Sequence, residues 1–210
     1  MKMARRMVWI VIGSIVLCGV LWGPVVSNVE QAQYKVIESH GKIEIRDYTP
    51  MIVAETTVPG EREEAINLGF RTIADYIFGN NQASQNVAMT SPVMQKSSEK
   101  IAMTAPVIQQ PNRNLWTVSF VMPSRHSMKT LPKPNNQRVS LRELPERRFA
   151  VISFSGLADR DTLLKQTEDL KSFVTSKKLT VASEPAYAFF NPPWTLPFLR
   201  RNEVMLEVVR

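Results

Sequence analysis

Cysteine is almost missing from this chain of 210 residues: Cys18 stands alone, and it lies inside an apolar run. That excludes a disulfide framework, a cysteine-ligated zinc and a catalytic thiol from everything that follows it. Bulky Leu17 just before it is also wrong for bacterial lipid attachment, which wants a small residue there. Histidine is nearly as scarce. His40 sits beside Gly41 in an expected turn and His126 lies in a proline-bounded loop, positions that suit exposed residues better than metal ligands. The sequence contains no Gly-x-Ser-x-Gly elbow, no Walker loop, no dinucleotide fingerprint and no His-Glu-x-x-His zinc helix. Its acidic residues offer no convergent pair for a hydrolase.

Charge is present but dispersed. The formal net charge is +7, and setting aside Lys2, Arg5, Arg6 and Glu30 leaves +5 from Tyr34 onward, in nothing longer than pairs such as Arg147-Arg148 and Arg200-Arg201. This is a solvated basic surface without a nucleic-acid motif, so no nucleic-acid partner is expected.

One long hydrophobic run is present. Residues 1–6 are basic, and 7–26 are apolar apart from Gly13, Ser14, Gly19, Gly23 and Pro24. The run is longer than the apolar core of about 7–15 residues in a cleavable signal and matches the about 17–25 of a spanning helix, which favours a membrane anchor. Val25 and Ser27 still make a passable cleavage site, so secretion after cleavage is the alternative. The positive-inside rule places the amino terminus in the cytoplasm and the domain on the extracytoplasmic side, periplasmic if the source is bacterial. Residues 27–33 form a connector and 34–210 the folded domain.

Within that domain a phrase occurs twice, 14 positions apart: Val87-Ala88-Met89-Thr90-Ser91-Pro92-Val93-Met94 and Ile101-Ala102-Met103-Thr104-Ala105-Pro106-Val107-Ile108. Each copy alternates and then meets a proline, which predicts two short strands joined as a hairpin at a sheet margin. Met89 or Met103 sulfur is a conceivable soft ligand to iron, though core filling is the commoner use of methionine. Around the phrase, alternation predicts strands at 34–38, 42–48, 51–58, 115–123, 139–144, 148–156, 187–191 and 203–209. Ile66, Phe70, Ile73 and Ile77 form one stripe of a helix closed by Gly79-Asn80-Asn81, and Leu163, Leu170 and Val174 mark a second helix over 161–178. Each half runs strand, helix, strand, strand. The fold expected is α+β: a distorted antiparallel β-barrel or sheet with two helices, built from two such pseudo-repeats.

A proline-stiffened loop carries Trp194, Leu196, Phe198 and Leu199 and ends in Arg200-Arg201. An aromatic patch beside guanidinium groups suits a planar apolar molecule bearing carboxylates. The competing reading is that Trp194 and Phe198 plug the open end of the sheet while the arginines pair with Glu203 or Glu207. On the first helix, Asn67, Arg71 and Asp75 lie beside the core stripe, where ordinary solvated surface is the simplest account.

Glu44-Ile45-Arg46-Asp47-Tyr48, Tyr76-Ile77-Phe78-Gly79, Ile101-Ala102-Met103-Thr104-Ala105-Pro106-Val107 and the ending from Asn191-Pro192-Pro193-Trp194 to Arg200-Arg201-Asn202-Glu203-Val204 together resemble the SOUL haem-binding protein family. The resemblance runs from about Tyr34 to Val209. It implies a distorted barrel or paired sheets with an internal repeat. It also implies non-covalent, non-catalytic binding of haem or a related tetrapyrrole, for carriage or buffering, in a shallow apolar pocket between the first helix and the loop before the final strand. Members proposed to ligate iron have a histidine where this chain has Asp47. The positions carried over as cofactor-binding are Asn67, Phe70, Arg71, Trp194, Phe198, Arg200 and Arg201, with Asn67 uncharged where a basic side chain is expected. The alternative function is a binding module for another small amphipathic molecule.

Overall fold

A computed structural model describes residues 29–83 and 98–209. The apolar segment 7–26 and the first copy of the doubled phrase, Met89 included, lie outside the described residues.

The chain begins with β1 (Glu30–Gln31), β2 (Tyr34–His40), β3 (Ile43–Tyr48) and β4 (Met51–Pro59), followed by helix α1 (Arg62–Ile77). Next come β5 (Asn81–Gln82), β6 (Thr104–Ala105), β7 (Val107–Asn112), β8 (Leu115–Val121), β9 (Lys133–Pro134), β10 (Ser140–Leu144) and β11 (Arg147–Phe154). Helix α2 (Arg160–Ser176), β12 (Ala186–Phe189), a 3-10 turn (Pro197–Leu199) and β13 (Asn202–Glu207) complete it. Nine strands form one antiparallel sheet, ordered β10-β4-β8-β7-β12-β13-β11-β3-β2 and curled into a half-barrel, with both helices on its outer face. The expected α+β architecture is the one observed.

The pairing explains the pseudo-repeat. β4, α1, β7 and β8 make one half and β11, α2, β12 and β13 the other, joined at the central β7–β12 pair. The strands leading into each half are exchanged: β3 pairs with β11 and β10 with β4, although each leads directly into the opposite half's neighbour, β3 into β4 and β10 into β11. Thr49-Pro50 and Pro145-Glu146 make the two connections. A proline in each denies the ladder a donor where a tight hairpin would need one.

Helix α1 forms because its apolar residues recur on one face and Glu63 and Glu64 lie in its first turn, where the helix dipole favours negative charge. Ile73, Tyr76 and Ile77 are buried against Ala54, Val118 and Phe120 of β4 and β8. Gly79, at φ 119°, provides the left-handed residue that ends it. Helix α2 starts at Asp159, whose side chain accepts from the Thr162 backbone N–H at 2.8 Å. Its Leu163, Leu170 and Val174 pack on Ala150, Ile152, Val204 and Leu206 of β11 and β13.

The second copy of the doubled phrase departs from the expected hairpin. Ile101 is buried in the core under α1, and residues 101–103 form no strand. Thr104 and Ala105 pair in parallel with β1, and after a cis Ala105–Pro106 bond the chain enters β7, an interior strand of the large sheet. The proline interrupts the ladder between β6 and β7 without ending the sheet there. The true margins are β2 and β10. β2 carries Lys35, Glu38 and a bulge between Val36 and Glu38, and β10 is short with Arg142 and Glu143, features that discourage edge pairing.

At Gly69 α1 lies close against the sheet. A Cβ added there would lie 2.6 Å from Val118 Cγ2 and 2.9 Å from Val118 Cβ, and Val118 is fully buried and branched at its stiff carbon. Gly69→Ala should therefore destabilise the domain by about 1–3 kcal/mol through overpacking, outweighing the gain in helix propensity of about 1 kcal/mol. Urea denaturation of both proteins checks this, with an unchanged or higher midpoint counting against the close approach.

Candidate functional site

Strand alternation decides which side chains face the helices and which face the hollow of the half-barrel. Ala150, Ile152, Val204 and Leu206 face α2, so Ser153, Glu203 and Met205 point the other way. On that inner face, β3 brings Glu44, Arg46 and Tyr48 alongside them.

Glu203 is fully buried and ionic. Arg46 donates to its two oxygens at 2.9 and 3.0 Å, Arg201 to Oε1 from Nε at 2.9 Å and from Nη2 at 2.7 Å, and the Ser153 hydroxyl at 3.0 Å. Arg46 also reaches Glu44 at 2.7 Å and the Tyr48 hydroxyl at 3.3 Å, and its guanidinium lies 4.4 Å from the centre of the Tyr34 ring. Burial, the largest single effect, opposes the charge on Arg46 and Arg201, but attraction to Glu203 together with the hydrogen bonds to Glu203 and to Tyr48 or Tyr34 raises both above the ordinary arginine value. Burial pushes the Tyr48 phenol up, with Glu203 adding to the effect, so Tyr48 stays neutral.

The loop 190–201 connects β12 to β13. Trp194 is 73% exposed and Phe198 68%, so neither ring plugs the sheet. Both arginines are already engaged. Arg200 donates from Nε to the Thr195 carbonyl at 2.7 Å and from Nη2 to the Pro193 carbonyl, which binds the loop to itself. Arg201 belongs to the Glu203 cluster, and its guanidinium lies 4.0 Å from the centre of the Phe190 ring. Asn67 and Arg71 are exposed on α1, and Phe70, half-exposed, leans on Phe120 with ring centres 5.2 Å apart. Asp47 pairs with Arg148 through contacts of 2.7 and 2.8 Å. His40 sits at the end of edge strand β2, bonded to Glu38 at 3.1 Å. Among the described residues no group of three or more His, Cys, Asp or Glu side chains could hold a metal ion.

One residue of the site was not anticipated. Arg62, at the start of α1, reaches over the central strands and donates to Gln109 of β7 at 2.9 Å. Its guanidinium lies 6.0, 5.6 and 5.9 Å from the ring centres of Trp116, Tyr187 and Phe189. Its Nε is buried without a hydrogen-bond partner, and no carboxylate stands within ion-pair distance among the described residues. Burial pushes Arg62 below the ordinary arginine value, yet a guanidinium stays charged at neutral pH. A half-buried cation among aromatic faces, one donor short of satisfaction, is suited to an incoming carboxylate. The signal was present in the sequence: Arg62 lies four residues before Ile66, on the same stripe as Ile73 and Ile77.

Two recesses stand out among the described residues. A cavity of about 60 Å³ opens on the inner face, walled by Met51, Val53, Ile108, Phe149 and Met205, and a more polar recess of about 260 Å³ lies near Glu30, Ser124 and His126. Both fall below the roughly 300–1,000 Å³ of pockets that enclose an organic ligand.

A family model described as "SOUL heme-binding protein" matches residues 29–207. Human "Heme-binding protein 2" is 27% identical over 168 residues, covering 79% of this chain and 78% of that protein. Among solved structures, the EcmrR C-terminal domain superposes with a TM-score of 0.59 at 10% identity, covering 84% of this chain and 98% of that one. A structure titled as a hydrolase from Listeria innocua gives 0.54 at 10% identity, covering 82% and 94%. These two likenesses speak for the fold alone.

Glu203→Gln keeps the volume but removes the carboxylate shared by the buried Arg46 and the partly exposed Arg201, leaving Arg46 only Glu44. It should cost about 3–5 kcal/mol, the usual penalty for breaking a buried ion pair from one side. Chemical denaturation measures it, and a loss below about 1 kcal/mol, typical of an exposed pair, would show that the cluster is dispensable.

Proposed function

The chain belongs to the SOUL heme-binding protein family, and from that premise we propose that its domain binds haem or a related tetrapyrrole without catalysis, for carriage or buffering. The site is a shallow one between α1 and the loop 190–201. The observation that carries this reading is Arg62, an aromatic-framed guanidinium without a carboxylate partner among the described residues. A tetrapyrrole propionate offers that carboxylate, and the exposed Trp194 and Phe198 with half-exposed Phe70 offer apolar faces to a macrocycle. Asn67 and Arg71 border the site on α1. Arg200 and Arg201 act here by fixing the loop's shape, since their donors are used within the protein. Asp47, paired with Arg148, contributes no iron ligand.

A second reading is a binding module for another small amphipathic molecule, which the same exposed apolar faces of Phe70, Trp194 and Phe198 would suit. The basic-then-apolar order of residues 1–26 supports an anchor that holds the domain on the extracytoplasmic side of a membrane.

Titrating the full chain in mild detergent with haemin, followed at the Soret band, tests the main reading. Arg62→Ala should weaken binding about tenfold, the equivalent of one charge-assisted hydrogen bond, and Trp194→Ala should also weaken it. No saturable site, or one affinity shared by all three proteins, would reject haem at this place. For the anchor, the chain should remain with membranes through alkaline carbonate extraction, and release into the supernatant would refute it.

A further inference from the structure

Two features from opposite ends of the chain meet at Arg201. The first is apolar exposure that the fold does not need. Trp194 and Phe198 are 73% and 68% exposed, Leu157 is 57% exposed, and Leu196 and Leu199 are exposed beside them. The Gly156 N–H donates to the Pro197 carbonyl at 2.9 Å, which holds Leu157 next to the turn. The loop is stiff as well as apolar. Pro192, Pro193 and Pro197 restrict it, Leu199 donates to the Leu196 carbonyl at 2.9 Å, and Arg200 binds two of its carbonyls. These rings are held outward by a built turn, and an exposed apolar patch of this kind marks a contact surface.

The second feature is where the amino-terminal connector joins the domain. Arg201, at the base of the loop, donates to Gln31 Oε1 at 3.1 Å and to the Tyr34 hydroxyl at 3.2 Å. Gln31 is five residues beyond Val26, the last residue of the apolar run. Five residues reach about 17 Å at full extension, so the end of that run is confined near the base of the loop. Tethering at such range gives an effective concentration on the order of millimolar, at which a small insertion surface suffices.

We propose that loop 190–201, with Leu157, is a lipid-contact surface that, when no tetrapyrrole covers Trp194 and Phe198, seats the domain on the bilayer holding residues 7–26. The proposal rests on reading that segment as a membrane anchor. Tryptophan at the tip of the loop fits the interfacial zone, where an amphipathic ring has its apolar body in acyl chain and its N–H among headgroups.

The test uses the full chain in lipid vesicles, with Trp9→Phe, Trp22→Phe and Trp116→Phe leaving Trp194 as the sole indole. Its emission should shift to the blue and fall by about half with lipids brominated near the headgroup end of the acyl chain, as expected at the interface, and change little when the bromines are at the chain terminus. A chain that survives carbonate extraction in the vesicles but shows no quenching by either lipid overturns the proposal and leaves the anchor standing. Release by carbonate instead overturns the anchor reading. Emission that depends on the protein-to-lipid ratio without bromine quenching assigns the patch to a second copy and also overturns the proposal. A photoactivatable lipid reads the same contact on the unsubstituted chain. Crosslinks on the 190–201 peptide are expected, and crosslinks confined to residues 7–26 overturn it.

Discussion

The buried carboxylate of Glu203 is the constraint from which the rest of the domain can be understood. It sits on the last strand, out of reach of water, and is tolerable there only because Arg46, Arg201 and Ser153 supply donors to it. Each partner comes from a different part of the chain. Arg46 fixes the exchanged strand β3 against the second half, Ser153 belongs to β11, and Arg201 ends the aromatic loop and reaches on to Gln31 and Tyr34 near the amino-terminal connector. One anion therefore fixes the sheet's register, the loop's base and the point at which the connector enters. A hydrophobic replacement of the whole cluster could be as stable, so the cluster is better understood as a device for specificity of arrangement.

The outer face shows the opposite economy. There the helices bury their stripes against β4, β8, β11 and β13, and over the seam between the halves a cation is left short of partners. Arg62 and Glu203 are both charged groups within the fold, but the protein satisfies one fully and the other only through Gln109 and aromatic faces. A site in waiting for a ligand is expected to differ from a structural site in this way.

Much of the fold was legible because it is written in periodicity. The stripe Ile66, Ile73 and Ile77 and the stripe Leu163, Leu170 and Val174 found their helices, and alternation found β3, β4, β8, β11 and β13. Local pattern was silent on partner choice: nothing in Ile43 to Tyr48 says that it pairs with Arg147 to Ile152 about a hundred residues later. The doubled phrase misled for a related reason. Its second copy has strand-like alternation, but Pro106 divides it between a two-residue strand and an interior one. At the candidate site, composition pointed to the aromatic loop and the resemblance to α1. The reading that paired the arginines with Glu203 or Glu207 foresaw the Arg201 contact, but not that Arg200 spends its donors on loop carbonyls or that the Arg62 Nε is left unbonded among the described residues, because hydrogen-bond accounting requires coordinates.

The pairing of Arg46 with Glu203 spans 157 positions of sequence. During synthesis the ribosome releases Arg46 long before its anion exists. Throughout that interval β3 has no partner strand on its β11 side, and β4 lacks β10, so the first half emerges as an unfinished sheet with open margins and with Arg46 lacking the Glu203 carboxylate. The exchange of leading strands thus makes folding an event of the whole domain, timed by the appearance of β13. Any factor that binds the nascent chain must shield those margins until then.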